Sequence, residues 1–327
     1  MRAVVTGGAG FIGSHLVDRL LKQGDSVLVI DNMSTGLSAN LGHHSNNGRL
    51  DVIRADIASA PVNELLHGND VVFHFAASAN MRRSLVEHGL DLDVNIIGTV
   101  NILEAMLRND IRDFVFASTS ALYGEASVRP TPENFLGHQT SLYGASKLAC
   151  EAYAEAYAEF SPLKTWAFRF ATVIGDRCRK GLIWDFVKKL RSNPEQLEIL
   201  GDGQQRKQYL DVTDCVDGVL YAYQHASERI NTFNLGINEQ TSVDQVADLV
   251  IDEMGLMKVS KKHTGGPRGW IGDNAIVDLN LEKIKKIDWS PKLRSEEAIR
   301  KTIRWTLEEQ SATRNKFESH QVPGTSR

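Results

Sequence analysis

Tyr143 and Lys147 stand four residues apart in SLYGASKLACEAY (141–153), a stretch with helical patterning. That spacing puts both side chains on one helix face, about one turn apart. An ammonium beside a phenol favours the phenolate and brings the tyrosine pKa from about 10 towards working pH. A general acid or base needs such a shift. A second concentration of reactive groups is ASTSALYGE (117–125), which follows the apolar run FVFA. Its hydroxyls fall at the end of a strand, with an alanine among them, and nothing inside the nonapeptide selects one.

A Tyr-x-x-x-Lys pair alone is usually surface decoration; it gains meaning from TGGAGFIG (6–13) upstream. The glycines read as Gly8-x-Gly10-x-x-Gly13 or as Gly7-x-x-Gly10-x-x-Gly13. Between a strand and a helix, such glycines let the chain turn sharply and bring backbone N–H groups to a pyrophosphate. Asp31 ends SVLVID, 23 residues after Gly8, where a carboxylate binds the adenosine ribose hydroxyls. The same carboxylate repels a 2′-phosphate, and NMSTG after it offers no cation to bind one. That pattern favours NAD over NADP. Asp56 has two readings, a contact to the adenine edge or a cap on the following helix.

These groups need a scaffold, and the first half of the chain supplies a regular one. Residues 3–7, 26–31, 50–56, 70–76 and 113–118 read as strands. FIGSHLVDRLLKQG and NIIGTVNILEAMLRND between them carry apolar residues at helical spacing. Alternation of apolar strands with helices implies a parallel sheet covered on both faces, a Rossmann-type doubly wound α/β fold with right-handed crossovers. From about residue 175 the pattern is less regular. GLIWDFVKKLRSNP reads as a helix ended by Pro194, YLDV as a short strand, TDCVDGVLYAYQHA as a helix capped by Thr213, and SVDQVADLVIDEMG as a helix capped by Ser242. The expected division is a dinucleotide-binding domain over 1–174, to which segments around 208–240 return, and a smaller α/β cap over 175–310. The polar segment 311–327, with Pro323 and Gly324, is expected to fray.

Composition excludes several other functions. With 42% hydrophobic and 24% charged residues and a formal net charge of -4, the chain has no basic patch for nucleic acid and no polybasic run for a membrane surface. No apolar run approaches the roughly 18 residues of a bilayer span. Cys150, Cys178 and Cys215 lie far apart with no Cys-x-x-Cys, which favours a reducing compartment, the cytoplasm, and no metal.

Taken together, TGGAGFIG, Asp31, HFAA (74–77), Asn95, STSALYG, YGASK and GDGQQRKQY resemble an extended short-chain dehydrogenase/reductase. The subgroup is the NAD-dependent nucleotide-sugar epimerase/dehydratase family, with its UDP-glucose 4-epimerase branch nearest. The likeness runs from residue 1 to about 307 in the family's order. It implies a catalytic trio of Thr119, four residues before Tyr123, with Tyr143 and Lys147. Tyr143 would take a proton from a sugar hydroxyl as its carbon passes hydride to NAD⁺. Thr119 would bind the same oxygen, and Lys147 would hold the nicotinamide ribose. The resemblance places Gly7, Gly10, Phe11, Ile12, Gly13, Asp31, Asn32, Asp56, Ile57, Phe75, Ala76, Ala77, Asn95, Tyr143, Lys147 and Phe170 around the cofactor. It also implies a nucleotide-diphosphate sugar as substrate and a homodimer built from the helices at 95–107 and 146–157.

Relatives diverge after the first oxidation. Dehydratases, and usually decarboxylases, carry a glutamate where this chain has Thr119, Ser120 and then Ala121. Alanine takes no proton, so the resemblance implies 4-epimerisation, with hydride returned to the other face of a rotated keto sugar. A dehydratase or decarboxylase, a keto-sugar reductase and a non-catalytic dinucleotide sensor are the competing readings. Loss of Tyr143 or Lys147 would mark a sensor, and both are kept. On the substrate side Lys207 and Arg268 align with diphosphate-binding cations, Asp273 falls near the nucleotide ribose, and Ser120 and Tyr209 face the substrate. Thr172 stands where the family has an asparagine that contacts substrate. Trp184 either lines the base pocket or anchors its helix.

Overall fold

Strands rich in Val, Ile and Phe form the centre of the molecule because both faces of a parallel sheet are covered. The computed structural model describes the backbone of residues 1–319 and the side chains of residues 1–312. In chain order the first elements are β1 (Arg2–Thr6), α1 (Phe11–Gln23), β2 (Ser26–Asp31), β3 (Leu50–Arg54) and β4 (Val71–His74). They are followed by α2 (Gly98–Arg108), β5 (Asp113–Thr119), α3 (Leu142–Phe160) and β6 (Lys164–Phe170). Next come β7 (Thr172–Ile174), α4 (Leu182–Ser192), β8 (Tyr209–Asp211), α5 (Val212–His225), β9 (Ile230–Leu235), α6 (Val243–Glu253) and α7 (Ser295–Ser319).

The main sheet has seven strands in the order β9-β6-β5-β4-β1-β2-β3. All six pairings are parallel, as the strand–helix alternation requires. One face is covered by α1 and α5, where Leu16, Val17, Leu20, Val216 and Val219 pack on Val5, Val29, Phe73 and Phe168. The other is covered by α2 and α3, where Ile102, Leu103, Met106, Cys150 and Ala154 pack on Val4, Val72, Phe114 and Phe116. A third core joins α4, α6 and α7 through Phe186, Val187, Val246, Val250, Ile299 and Ile303.

Three local expectations change. The helix after β8 is capped by Asp211, whose side chain accepts from Thr213 N; Thr213 is already inside the helix. The helix expected from Asn95 is preceded by a wide π-helical turn over Leu92–Ile97, and α2 proper starts at Gly98. The helical span of α7 includes residues 311–319, where no Pro or Gly interrupts it; 320–327 lie outside the described residues. Ser242 caps α6 as expected, with Gln245 closing a reciprocal capping box.

Candidate active site

The end of β5 and the start of α3 meet above the carboxyl edge of the sheet. Thr119 is extended, and its hydroxyl oxygen accepts from Ala121 N at 3.1 Å, which starts a tight turn over Ser120–Tyr123. Ser141 caps α3 by accepting from Gly144 N at 3.0 Å. A Cβ on Gly144 would lie 2.7 Å from Ala121 O. The glycine after Tyr143 therefore lets the first turn of α3 press against the turn after Thr119. That contact brings Thr119 and Tyr143 together.

Tyr143 is half-buried, and burial pushes its phenol up to about 12, a rise that the Thr119 hydrogen bond opposes and the Asp91 charge reinforces. Lys147 is 2% exposed. Its Nζ donates to Ala117 O at 2.7 Å and lies 4.4 Å from the centre of the Phe116 ring. Burial brings its ammonium down to about 8. Thr119 eases the phenolate through its hydrogen bond, and Lys147 Nζ is held at the strand carbonyl of Ala117 at the end of β5.

Asn95 is 1% exposed. It joins the loop after β4 to α3, accepting from Ser78 N (2.8 Å) and donating to Ser78 O (3.1 Å) and Ser146 Oγ (2.8 Å). Both amide hydrogens are used inside the protein, in joining the loop after β4 to α3. One turn before it, Asp91 is 2% exposed, and neither carboxylate oxygen has a hydrogen-bond partner among the described residues. His74 forms a second tie. Ala76 N donates to Thr6 Oγ1, whose hydroxyl meets His74 Nδ1 at 2.7 Å; His74 Nε2 meets Thr99 Oγ1 at 3.0 Å, and Thr99 donates to Asn95 O. The chain assigns neutral His74 its Nε2–H tautomer. Burial pushes its pKa down to about 3, helped by the Lys147 charge.

Sequence reading missed Asp91, His74 as a link, and the charge network beneath the site. Arg169 Nη2 pairs with Glu151 at 2.6 Å, and its Nε reaches both Glu151 oxygens at 3.1 Å. Its Nη1 donates to Tyr123 Oη at 2.9 Å, and Ser118 Oγ donates to Glu151. Glu151 lies one turn beyond Lys147, a spacing that could have flagged it.

Two strands along the same carboxyl edge, after β1, Gly7 takes φ +70, and a Cβ on Gly13 would collide with the Gly7 carbonyl oxygen. Gly10 opens α1 with no side-chain cap, so the N–H groups of Phe11, Ile12 and Gly13 are available to an anion. Asp31, 7% exposed, accepts from Ala9 N (3.0 Å) and Met33 N (2.8 Å), which fix its carboxylate beside this turn. The cradle and the acid fit a dinucleotide. Asn32 donates to Asp56 at 3.0 Å, and the other Asp56 oxygen accepts from Ala58 N, so Asp56 caps its own turn while bound to Asn32. Ile57 is buried in the core of the α2 face, against Gly98. Phe75, Ala76 and Ala77 continue half-buried past β4, and the Phe75 ring lies 6.2 Å from Phe170.

The substrate-side residues divide. Lys207 and Asp273 form an ion pair at 2.6 Å. Arg268 pairs with Glu125 at 3.1 Å, and Glu125 also accepts from Ala275 N. Glu125 is thereby tied to the segment 268–275. Thr172 pairs with Tyr209 in a two-stranded parallel ladder. Tyr209, 2% exposed, packs its ring into the third core and is a structural residue at that end. Ser120 is half-buried in the turn after Thr119. Trp184 is half-buried; its ring meets Trp305 of α7 at 6.3 Å, and its backbone carbonyl accepts from Gln310.

Residues 3–236 match the family described as NAD dependent epimerase/dehydratase. The chain belongs to that family. Within the family it is similar to a putative UDP-glucose 4-epimerase of Methanocaldococcus jannaschii, with 33% identity over 92% of this chain and 97% of that one. A solved UDP-glucose 4-epimerase of Thermotoga maritima, with UDP-glucose, superposes with a TM-score of 0.86 at 33% identity, covering 95% of this chain and 100% of that one. UDP-glucuronic acid decarboxylase 1 of Arabidopsis thaliana is 29% identical over 93% of this chain and 69% of that one.

Proposed function

We propose that this family member is an NAD-dependent nucleotide-sugar 4-epimerase acting on UDP-hexoses or UDP-hexuronates. The observation that carries the reading is Ala121 in the turn beside Thr119 and Tyr143, which share a hydrogen bond, with Lys147 held at the same strand end and Glu125 bound to Arg268 and Ala275 N. The trio can move a proton at the sugar 4-hydroxyl; no carboxylate in the turn after Thr119 can remove one from C5.

When bound, NAD supplies a reversible hydride acceptor at the sugar carbon. Tyr143 removes the hydroxyl proton and later returns it, with Thr119 holding the oxygen. Lys147, within reach of the same strand end, binds the nicotinamide ribose. Gly7, Gly10, Phe11, Ile12 and Gly13 hold the pyrophosphate, and Asp31 selects NAD by accepting from the ribose hydroxyls. Lys207 and Arg268 bracket the diphosphate from two loops, each shared with an acid, Asp273 and Glu125. The partner is a second copy of the chain: Tyr153 and Phe160 on α3 and Ile97 before α2 are large exposed apolar residues. The wide spacing of the three cysteines supports a cytoplasmic setting.

Incubation with UDP-, GDP-, CDP- and dTDP-sugars followed by chromatography tests the reading. A C4 epimer is expected from a UDP-sugar with no added cofactor, and Tyr143→Phe should lose turnover by about 10²–10⁴-fold while retaining NAD. Unchanged activity would remove Tyr143 from the mechanism. The Arabidopsis relative gives decarboxylation of a UDP-hexuronate a second place; release of carbon dioxide from UDP-glucuronate would favour it.

A further inference from the structure

Cysteine spacing gives no reason to expect a metal, yet two adjacent histidines, His43 and His44, converge with Asp18 on the outer side of α1. His43 Nε2 lies 2.9 Å and His44 Nε2 2.8 Å from the same oxygen, Asp18 Oδ1. All three donor atoms fall within 4.8 Å of one another. The imidazole rings are tilted together with centroids 4.0 Å apart, so both aim the same nitrogen at one point. We propose that Asp18, His43 and His44 form a binding site for a divalent cation of the zinc class.

The geometry and the ligand chemistry agree. Tetrahedral zinc with metal–ligand distances of about 2.0–2.2 Å puts neighbouring donor atoms about 3.4 Å apart, so Asp18 and each histidine, at 2.8 and 2.9 Å, need to part by only about half an ångström to admit the ion. Imidazole with one carboxylate suits zinc, nickel or copper and does not suit magnesium or calcium, which take oxygen. The other carboxylate oxygen, Oδ2, is held by Arg177 Nη2 at 2.7 Å. That bond fixes Asp18 as a one-oxygen ligand, the outer-shell support that metal sites need. Side-chain exposures of 48% for His43, 19% for His44 and 28% for Asp18 leave one side open to complete the coordination with water.

The place of the site gives the cation a structural task. His43 and His44 end a loop whose Asn40 donates to Ala9 O at 2.9 Å and accepts from Arg179 at 3.0 Å. Asp18 lies two turns into the helix that begins at Gly10. A cation would clasp this loop to α1 and, through Arg177 and Asp18, to the segment after β7. Nothing in this inference depends on the reaction the protein catalyses.

Zinc titration of untagged, chelator-treated full-length protein by calorimetry, with visible absorption of a cobalt(II) complex as the second readout, tests the site. One saturable equivalent is expected, with a rise in Tm and no response to magnesium. His43→Ala and His44→Ala should each weaken zinc binding at least about tenfold, Asp18→Asn should weaken it too, and the double histidine variant should lose both the cobalt spectrum and the Tm rise. Absence of saturable zinc binding by the wild type overturns the proposal. Equal zinc affinity in the single variants overturns it as well, whether or not the double variant folds.

Discussion

Burial lifts the Tyr143 phenol, and the unpartnered Asp91 carboxylate pushes it the same way, while Thr119 opposes both. Removing that negative charge should make the phenolate easier to form. Asp91→Asn is therefore expected to move the acidic limb of the kcat–pH profile to lower pH, and pH-rate measurements at saturating substrate check this. An unmoved limb would detach Asp91 from the reaction centre. At this scale the sequence was partly legible. Tyr143 and Lys147 announce themselves because helical spacing fixes which residues share a face. Asp91 does not, since its isolation is a property of what surrounds it in space. Trp184 shows the same limit: its type allows a base pocket or an anchor, and its contact with Trp305, more than a hundred residues away, is a property of the fold that no local pattern announces.

The elements around the reaction centre are held by buried polar ties, and these should govern how it fails. Glu151 and Arg169 join α3 to β6 with side chains 2% and 6% exposed. Glu151→Ala leaves the guanidinium buried and uncompensated, so a loss of about 3–5 kcal/mol is expected in denaturant unfolding. His74 ties β4 to β1 and α2 as a neutral imidazole. Its pKa is about 3 in the folded chain and 6.5 when unfolded, so below pH 6.5 the unfolded chain binds the extra proton. The His74 contribution is thus fully present above pH 6.5 and is lost as pH falls towards 3, by about 2 kcal/mol at pH 5. Stability measured against pH should show that slope, and His74→Asn should flatten it. Strands and helices were readable because apolar periodicity reports burial directly. The π-helical turn before α2 and the Asp211 cap were not, because each answers to a partner elsewhere, Ser78 and Ser146 for Asn95, and Lys301 for Asp211.

Across the whole molecule, the chain builds six strands of one sheet, leaves it to begin a third core, and returns to it with β9 beside β6. We propose the functional division along that path: residues 1–174 with the returning strand carry NAD, and the α4, α6 and α7 core with its loops carries the sugar nucleotide. The doubly wound half was legible because its pattern repeats; the other half was not, because its short ladders, such as β7 with β8, have no period to read. Epimerisation requires that the keto sugar turn over and lose nothing. Proton NMR of the purified protein with UDP-glucose, UDP-glucuronate and UDP-N-acetylglucosamine in deuterium oxide tests it most directly. The prediction is a C4 epimer from at least one of these, with no deuterium at C4 or C5 and no added cofactor. Deuterium at C5, a 6-deoxy or decarboxylated product, or no product from any of the three would contradict it.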